Sequence, residues 1–305
     1  MNVYLASFGE TIRNIRKELQ LTQNDVSELS GINMETIRRV ENGKVIPKFE
    51  TLDLLSSIYK KDINDLFLKY RVYNYSYYYD IKNRIEAKFD RNDFKTLDIE
   101  LKELNILLKY INNSFYKNLI TQLSLLTEAG ILYNHVGNAD EALDRLTKAM
   151  RISSPLFNLN DYSSFVYSSM EIRILMNITT ISYISNHTEK YIEVMEFCLK
   201  SADSNDEVYP KICGTLAGIY IKNKNFKKAL ELADAAIKAC QHSRNLNNLN
   251  LFYYIKGVAE YILGMEEYRK SMDTSVILCE AFAHDELREI IIKSYNNIEN
   301  IEDFF

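Results

Sequence analysis

The sequence predicts an all-α protein, with an N-terminal bundle of short helices followed by a long array of helix pairs. Three observations carry that expectation. Nine Gly and three Pro in 305 residues are too few for a strand-and-turn fold, and apolar residues recur at three and four positions rather than two. With 47% hydrophobic and 26% charged residues, the chain is long and apolar enough for two domains with buried cores. A unit of helix, short turn and helix also recurs through its second half.

The N-terminal elements follow from their punctuation. Phe8, Ile12, Ile15 and Leu19 keep a helical period and predict the first helix. Thr22 with Asp25 three residues on is an acidic form of the capping box; it opens a second helix whose Val26 and Leu29 face inward until Gly31 stops it. Asn33 caps a third, with Ile37 and Val40 inward and Gly43 at its end. Lys48 to Tyr59 forms a fourth, carrying Leu52, Leu55 and Ile58 on one face, and Asp62 caps a short fifth closed by Leu66 and Phe67.

Two short helices around a Gly-bearing turn, with a third in front, are the layout of a helix-turn-helix. The third helix turns Met34, Glu35, Arg38, Arg39 and Asn42 away from the core. A helix of this length fits the major groove of DNA, where Arg donates paired hydrogen bonds to guanine. The net charge of −5 does not oppose this. Residues 1–71 hold 11 Lys/Arg against 10 Asp/Glu, leaving 26 against 32 for the rest, so the acidity lies in the second part.

Over residues 8–68, Arg16, Gln23, Gly31, Ile37, Glu41, Asn42, Gly43 and Pro47, with the run Leu52, Leu54, Leu55, Ile58 and Leu66, resemble the Xre/Cro/C1-type helix-turn-helix family. The resemblance implies a DNA-binding domain at residues 1–70. It implies that Gln23, Met34, Glu35 and Arg39 face the groove and that Asn33, Asn42 and Lys44 touch phosphates, with Lys48 a further candidate and Arg38 exposed beside them. Arg16 and Glu41 match a structural charged pair. Met34 and Glu35 depart from the amides often found there, which alters the base sequence preferred: Glu accepts from cytosine N4, and Met offers only apolar contact. A domain this small reads few base pairs, so specificity needs a dimer on two half-sites.

Residues 71–80 form a junction, whose tyrosines in VYNYSYYYDIKNRIEAKF pack together rather than stack on bases. Beyond it the repeat appears as EAGILYNHVGNADEALDRLTKAM at 128–150, ITTISYISNHTEKYIEVMEFCL at 178–199, TLAGIYIKNKNFKKALELADAAI at 215–237 and GVAEYILGMEEYRKSMDTSVIL at 257–278, with a weaker copy near 85–104. Gly130, Tyr133, Ala142, Leu146 and Ala149 resemble tetratricopeptide helix pairs, although the steps of 49, 38 and 41 residues exceed the usual ~34. Stacked pairs imply a right-handed superhelix over 81–305 whose first helices line a concave groove.

The inward positions expected on those first helices are Thr127 and Asn134, with His135 at the helix end; then Arg173, Asn177, Thr180 and Tyr183; then Lys211 and Lys222. Asn can pair with the backbone of an extended peptide, and Arg or Lys can take its terminal carboxylate. Asn177 and Arg173 lead that list. Cys198, Cys213, Cys240 and Cys279 lack ligand or redox spacing and are read as buried thiols. No metal or cofactor is expected, and no catalytic motif marks an enzyme. The N-terminus lacks the layout of a secretory signal and no run is long enough to span a membrane, so a cytoplasmic location without membrane contact is expected.

An Xre-type head followed by degenerate tetratricopeptide repeats resembles the Rgg/PlcR/PrgX (RRNPP) family of peptide-pheromone-responsive transcription regulators. That resemblance implies a homodimer that binds a double-stranded DNA operator and a short signalling peptide, with dimer contacts from the last repeats and the tail AHDELREIIIKSYNNIENIEDFF. One position departs: Gly214 stands where family members often carry a groove Asn. The alternative is a peptide-independent phage- or element-type repressor whose repeats serve dimerisation and protein docking.

Overall fold

The computed structural model describes residues 3–70, 75–111, 113–186, 189–243, 246 and 248–298. Their regular structure is entirely helical, and no strand occurs among the described residues. The chain divides into two compact units, one of residues 1–85 and 99–121, the other of 86–98 and 122–305. That division does not coincide with the functional boundary expected at residue 70. Part of the expected junction, residues 71–74, lies outside the described residues, as do residues 187–188 of the second repeat copy and 299–305 of the tail.

The first unit begins with α1 (Val3–Glu18), α2 (Gln23–Ser30), α3 (Met34–Glu41), α4 (Phe49–Tyr59) and α5 (Ile63–Lys69). The caps form where the sequence predicts them. Thr22 accepts from the Asp25 amide while Asp25 accepts from the Thr22 amide, Asn33 accepts from the Glu35 amide, and Asp62 accepts from the Asp65 amide. Gly31 ends α2 in the left-handed conformation at φ 72°. Each such cap is worth about 1 kcal/mol.

Phe8, Ile12, Val26, Ile37, Val40, Leu52, Leu55, Tyr59 and Ile63 close a single core, with Leu66 and Phe67 packed on it. Gly9 is where α1 crosses α3. A Cβ there would stand 2.5 Å from the Val40 carbonyl oxygen and 2.6 Å from that of Glu41, so only glycine permits the approach. Leu19 and Leu29, expected to face inward, are 43% and 65% exposed. The apolar stripes run past the contact: α2 buries only Val26, and Leu29 stands at its far end.

Helix α6 (Tyr75–Asp90) runs from the first unit into the second, as does α8 (Ser114–Ile131); α7 (Asp98–Leu108) lies between them. In the first unit Tyr75 packs against Tyr78, Tyr79 and Tyr116. Tyr75 and the buried Tyr78 thus serve packing as expected, whereas Tyr77 and Tyr79 are 38% and 52% exposed and Tyr73 lies outside the described residues.

In the second unit α8 ends in a π-helical turn, Leu132–Val136, closed by Gly137 at φ 77°. The array continues with α9 (Ala139–Ser153), α10 (Ser169–Asn186), α11 (Glu189–Ser201), α12 (Val208–Lys222), α13 (Phe226–Ser243), α14 (Leu249–Ile262), α15 (Tyr268–Ala281) and α16 (Asp285–Asn296). These are the tetratricopeptide-like helix pairs. Ala142, Leu146 and Ala149 on α9 and Ala229, Ala233 and Ala236 on α13 are fully buried. Apolar, mostly small side chains at i, i+4 and i+7 put one face of each helix close against its partner. The four cysteines are buried, and burial pushes the thiols of Cys198 and Cys213 up to about 12.

Candidate functional site

On the head, one buried carboxylate organises the surface. Arg16 donates Nε to Glu41 Oε1 at 2.6 Å and Nη2 to Oε2 at 2.9 Å, and Gln23 Nε2 donates to the same Oε2 at 2.7 Å. The hydrogen bond to Glu41 is also what holds the Arg16 guanidinium above its ordinary pKa. Arg13 lies 3.6 Å from Glu41 and donates to Asn42 Oδ1 at 2.6 Å.

These bonds decide what the neighbouring amides offer. Their partners are a carboxylate, an N–H and a guanidinium, so the O and N assignments follow from chemistry. Gln23 is left with its carbonyl oxygen, an acceptor. Asn33 and Asn42 have their oxygens engaged and keep their NH2 groups, the donors that a phosphate needs. On α3, Glu35 and Arg38 pair at 2.8 Å, with the bond to Arg38 lowering the Glu35 pKa. Arg39, Lys44 and Lys48 are exposed and make no side-chain hydrogen bond or ion pair among the described residues, and Met34 is 49% exposed beside them. An α3 arginine with two uncommitted lysines on the segment that follows the helix, and two amide donors at its ends, suits a polyanion.

The second unit contains a cleft of about 280 Å³, lined by residues of α6, α8, α10, α12 and α14 and by the loop after α6. Asn134, Arg173, Asn177 and Lys211 meet there. Thr127, Thr180, Tyr183 and Lys222 do not. Thr127 is fully buried and donates to the Leu123 carbonyl, Thr180 donates to Met176, Tyr183 bonds Asn223, and Lys222 is exposed in the last turn of α12. His135 is exposed in the π-helical turn.

An ion network ties the cleft residues Arg173 and Lys211 to a buried carboxylate behind them, Glu86. Arg173 makes a bidentate pair with Glu86, one arm measuring 2.9 Å, and stacks over the Phe89 ring at 5.4 Å. Lys211 Nζ donates to Glu86 at 2.6 Å and stands 3.8 Å from Asp90, which accepts from Asn248 at 2.9 Å. Burial alone would raise the Glu86 pKa; Arg173 and Lys211 outweigh it and hold the carboxyl at about 2. Asp90 has Lys211 only at the longer distance and the neutral Asn248 amide, too little to offset burial, which raises its pKa. The guanidinium expected to receive a peptide carboxylate is therefore 7% exposed and holds an internal one.

Glu86, Phe89 and Asp90 were not among the residues expected from the sequence, nor were Phe94, Asn248 and Phe252. Their signal was weak. Glu86, Phe89 and Asp90 share a face at i, i+3 and i+4 on α6, but their partners lie 87 to 158 residues away. Gly214 has a packing reason. A Cβ there would fall 2.3 Å from the ring of Phe252, which is 2% exposed.

Residues 12–66 match the helix-turn-helix family model. The HTH-type transcriptional repressor RghR of Bacillus subtilis (strain 168) is 33% identical over 98 residues, 30% of this chain and 73% of that protein. An uncharacterized HTH-type transcriptional regulator of the same strain, RghRB, is 35% identical over 63 residues, 20% of this chain and 45% of its own length.

Three solved structures share the fold at 15% identity. Bacillus thuringiensis PlcR in complex with the peptide PapR7 and DNA has a TM-score of 0.73 over 94% of this chain and 99% of its own. ComR from S. thermophilus in complex with DNA and its signalling peptide ComS has 0.60 over 94% and 97%, and the Streptococcus dysgalactiae SHP pheromone receptor Rgg2 has 0.55 over 95% and 99%. By its capped head, its matched residues and its curated relative, this chain belongs to the helix-turn-helix transcription regulators, and its helical-repeat fold is that of PlcR, ComR and Rgg2.

Proposed function

We propose that the protein is a quorum-sensing transcription regulator of the cytoplasm that binds an operator as a homodimer and is controlled by a short signalling peptide. In this reading residues 1–70 bind DNA, 71–80 join the parts, and 81–305 hold the peptide and the dimer contacts. The observation that carries it is the coexistence, in one chain, of a helix-turn-helix edge with uncommitted Arg39, Lys44 and Lys48 and a separate cleft between repeat helices. Solved structures of the same fold include complexes with both DNA and peptide.

Arg39 is the base reader; Met34, Glu35 and the Gln23 oxygen line the groove, while Arg38 stays with Glu35. Asn33, Asn42, Lys44 and Lys48 take phosphates. Asn134 and Asn177 face the peptide. Exposed Ile277 on α15 and Ile290 on α16, 62% and 54% exposed, are the apolar side chains a dimer contact would cover. The peptide acts by binding one arrangement of the dimer better than another; a few kcal/mol of differential affinity shifts the population.

Genome-wide footprinting of the bound protein, with and without spent culture medium, tests both halves. A discrete set of two-fold sites whose occupancy changes with the medium is expected. Discrete sites indifferent to the medium would remove the peptide from the reading, and uniform retention on all DNA would remove the operator.

A further inference from the structure

Resting on the reading that the cleft holds a peptide, we propose that it recognises a cation of that peptide, its free N-terminal amine or a Lys or Arg side chain, set beside an apolar residue, and not its C-terminal carboxylate. The charged donors at the cleft are held by a carboxylate, Arg173 and Lys211 by Glu86, and each amide spends one N–H inside the fold: Asn177 on the Arg173 carbonyl at 2.8 Å, Asn134 on the Gly130 carbonyl at 3.0 Å and Asn248 on Asp90. Every one of those acceptors is a carbonyl or a carboxylate, so none of the three amides can be flipped without facing oxygen to oxygen. Each amide keeps its second N–H, but the cleft also presents the oxygens of Asn134, Asn177 and Asn248 and the second oxygen of Asp90, and neither of its lining cations is left without a carboxylate partner.

Charge points the same way. Arg173 and Lys211 are matched by Glu86 and Asp90, and Glu207 adds its field at Arg173. An arriving carboxylate would have to displace Glu86 from a buried pair or sit unpaired beside Asp90, and either is costly. An ammonium completes the shell of Asp90, whose pKa burial has raised. The cleft, at about 280 Å³, stands at the small end of the roughly 300–1,000 Å³ of sites that engulf a whole ligand, so it seats a part of a peptide and not the whole of it. Phe94, Met176, Leu251 and Phe252 give that part an apolar wall.

Two pools of random heptapeptides, one lacking Lys and Arg and one containing them, are prepared free, N-acetylated and C-amidated, and retention on the full-length protein is measured by mass spectrometry. In the pool without Lys and Arg, acetylation should lower retention at least tenfold and amidation less than twofold, which assigns the N-terminal amine. Acetylation tolerated only in the basic pool assigns the side-chain cation instead. A tenfold loss on amidation with acetylation tolerated in both pools overturns the proposal. No retention of any form removes the peptide reading beneath it. In Asp90→Asn the free-to-acetylated ratio should fall below twofold, and in Asn134→Ala, whose side chain is exposed and outside the core, it should fall severalfold; an unchanged ratio in both also overturns the proposal.

Discussion

In the head, Glu41 is buried against Arg16 and Gln23, and in the repeat unit Glu86 is buried against Arg173 and Lys211. The two carboxylates have opposite effects on the surface nearby. Glu41 holds Arg16 inside the bundle and the half-exposed Arg13 at its rim, while Arg39, Lys44 and Lys48 stay uncommitted on the outer surface. Glu86 is buried behind the lining of a cleft and consumes the cations that would otherwise face a ligand. A basic residue on an inward face is thus no evidence of an anion site until its internal partner is known.

Breaking each network is the largest test of the comparison. Glu41→Ala leaves Arg16 buried and unpaired, so the head should lose about 3–5 kcal/mol, seen as faster amide exchange in α1 and α3 with α10 to α12 unchanged. An equal loss in both units would mean that the networks are not separate.

The repeat-unit network should instead show in pH dependence. Glu86 has its pKa depressed from 4.5 to about 2, so its contribution is full above 4.5 and is lost as pH falls towards 2, at most about 3 kcal/mol. Asp90, raised by burial, works with the opposite sign and loses its contribution as pH rises, so Asp90→Asn should steepen the acid slope. Acid unfolding monitored in α10 to α12, compared with Glu86→Gln, measures this; an identical acid midpoint in the variant would contradict it.

A paired glycine test is smaller. Gly214→Ala presses on the Phe252 ring, an overpacking cost of about 1–3 kcal/mol, while Gly9→Ala presses on backbone oxygens that cannot rotate away and should cost more. Thermal melts rank them, and Phe252→Leu should recover part of the Gly214→Ala loss. On DNA, Arg39→Ala should reduce discrimination between operator and random duplex by about 1–3 kcal/mol, whereas Lys44→Ala should weaken both alike. Binding titrations at two salt concentrations separate these outcomes, and the reverse pattern would exchange the two roles.

Much of the head was legible. Its caps, turn glycine and core positions are local, lying within one or two helical turns, and the Arg16–Glu41 pair spans only 25 residues. The exposed Leu29 escaped because a periodic stripe does not say where a neighbouring helix ends. In the repeat unit, the alanine positions were readable for the same local reason, and four of the eight expected groove residues do reach the cleft. Thr127 and Arg173 lie on the expected helices yet are buried or engaged.

From the sequence alone came the all-helical class, the five helices of the head with side-chain caps on three of them, the tetratricopeptide-like units and the identity of the cationic edge, because each depends on local spacing along the chain. Only the tertiary structure decided that Arg173 and Lys211 belong to Glu86, 87 and 125 residues distant, and that Gly214 makes room for Phe252. Which donors remain free at a cleft depends on groups that meet through folding, and distance along the chain carries no record of that meeting.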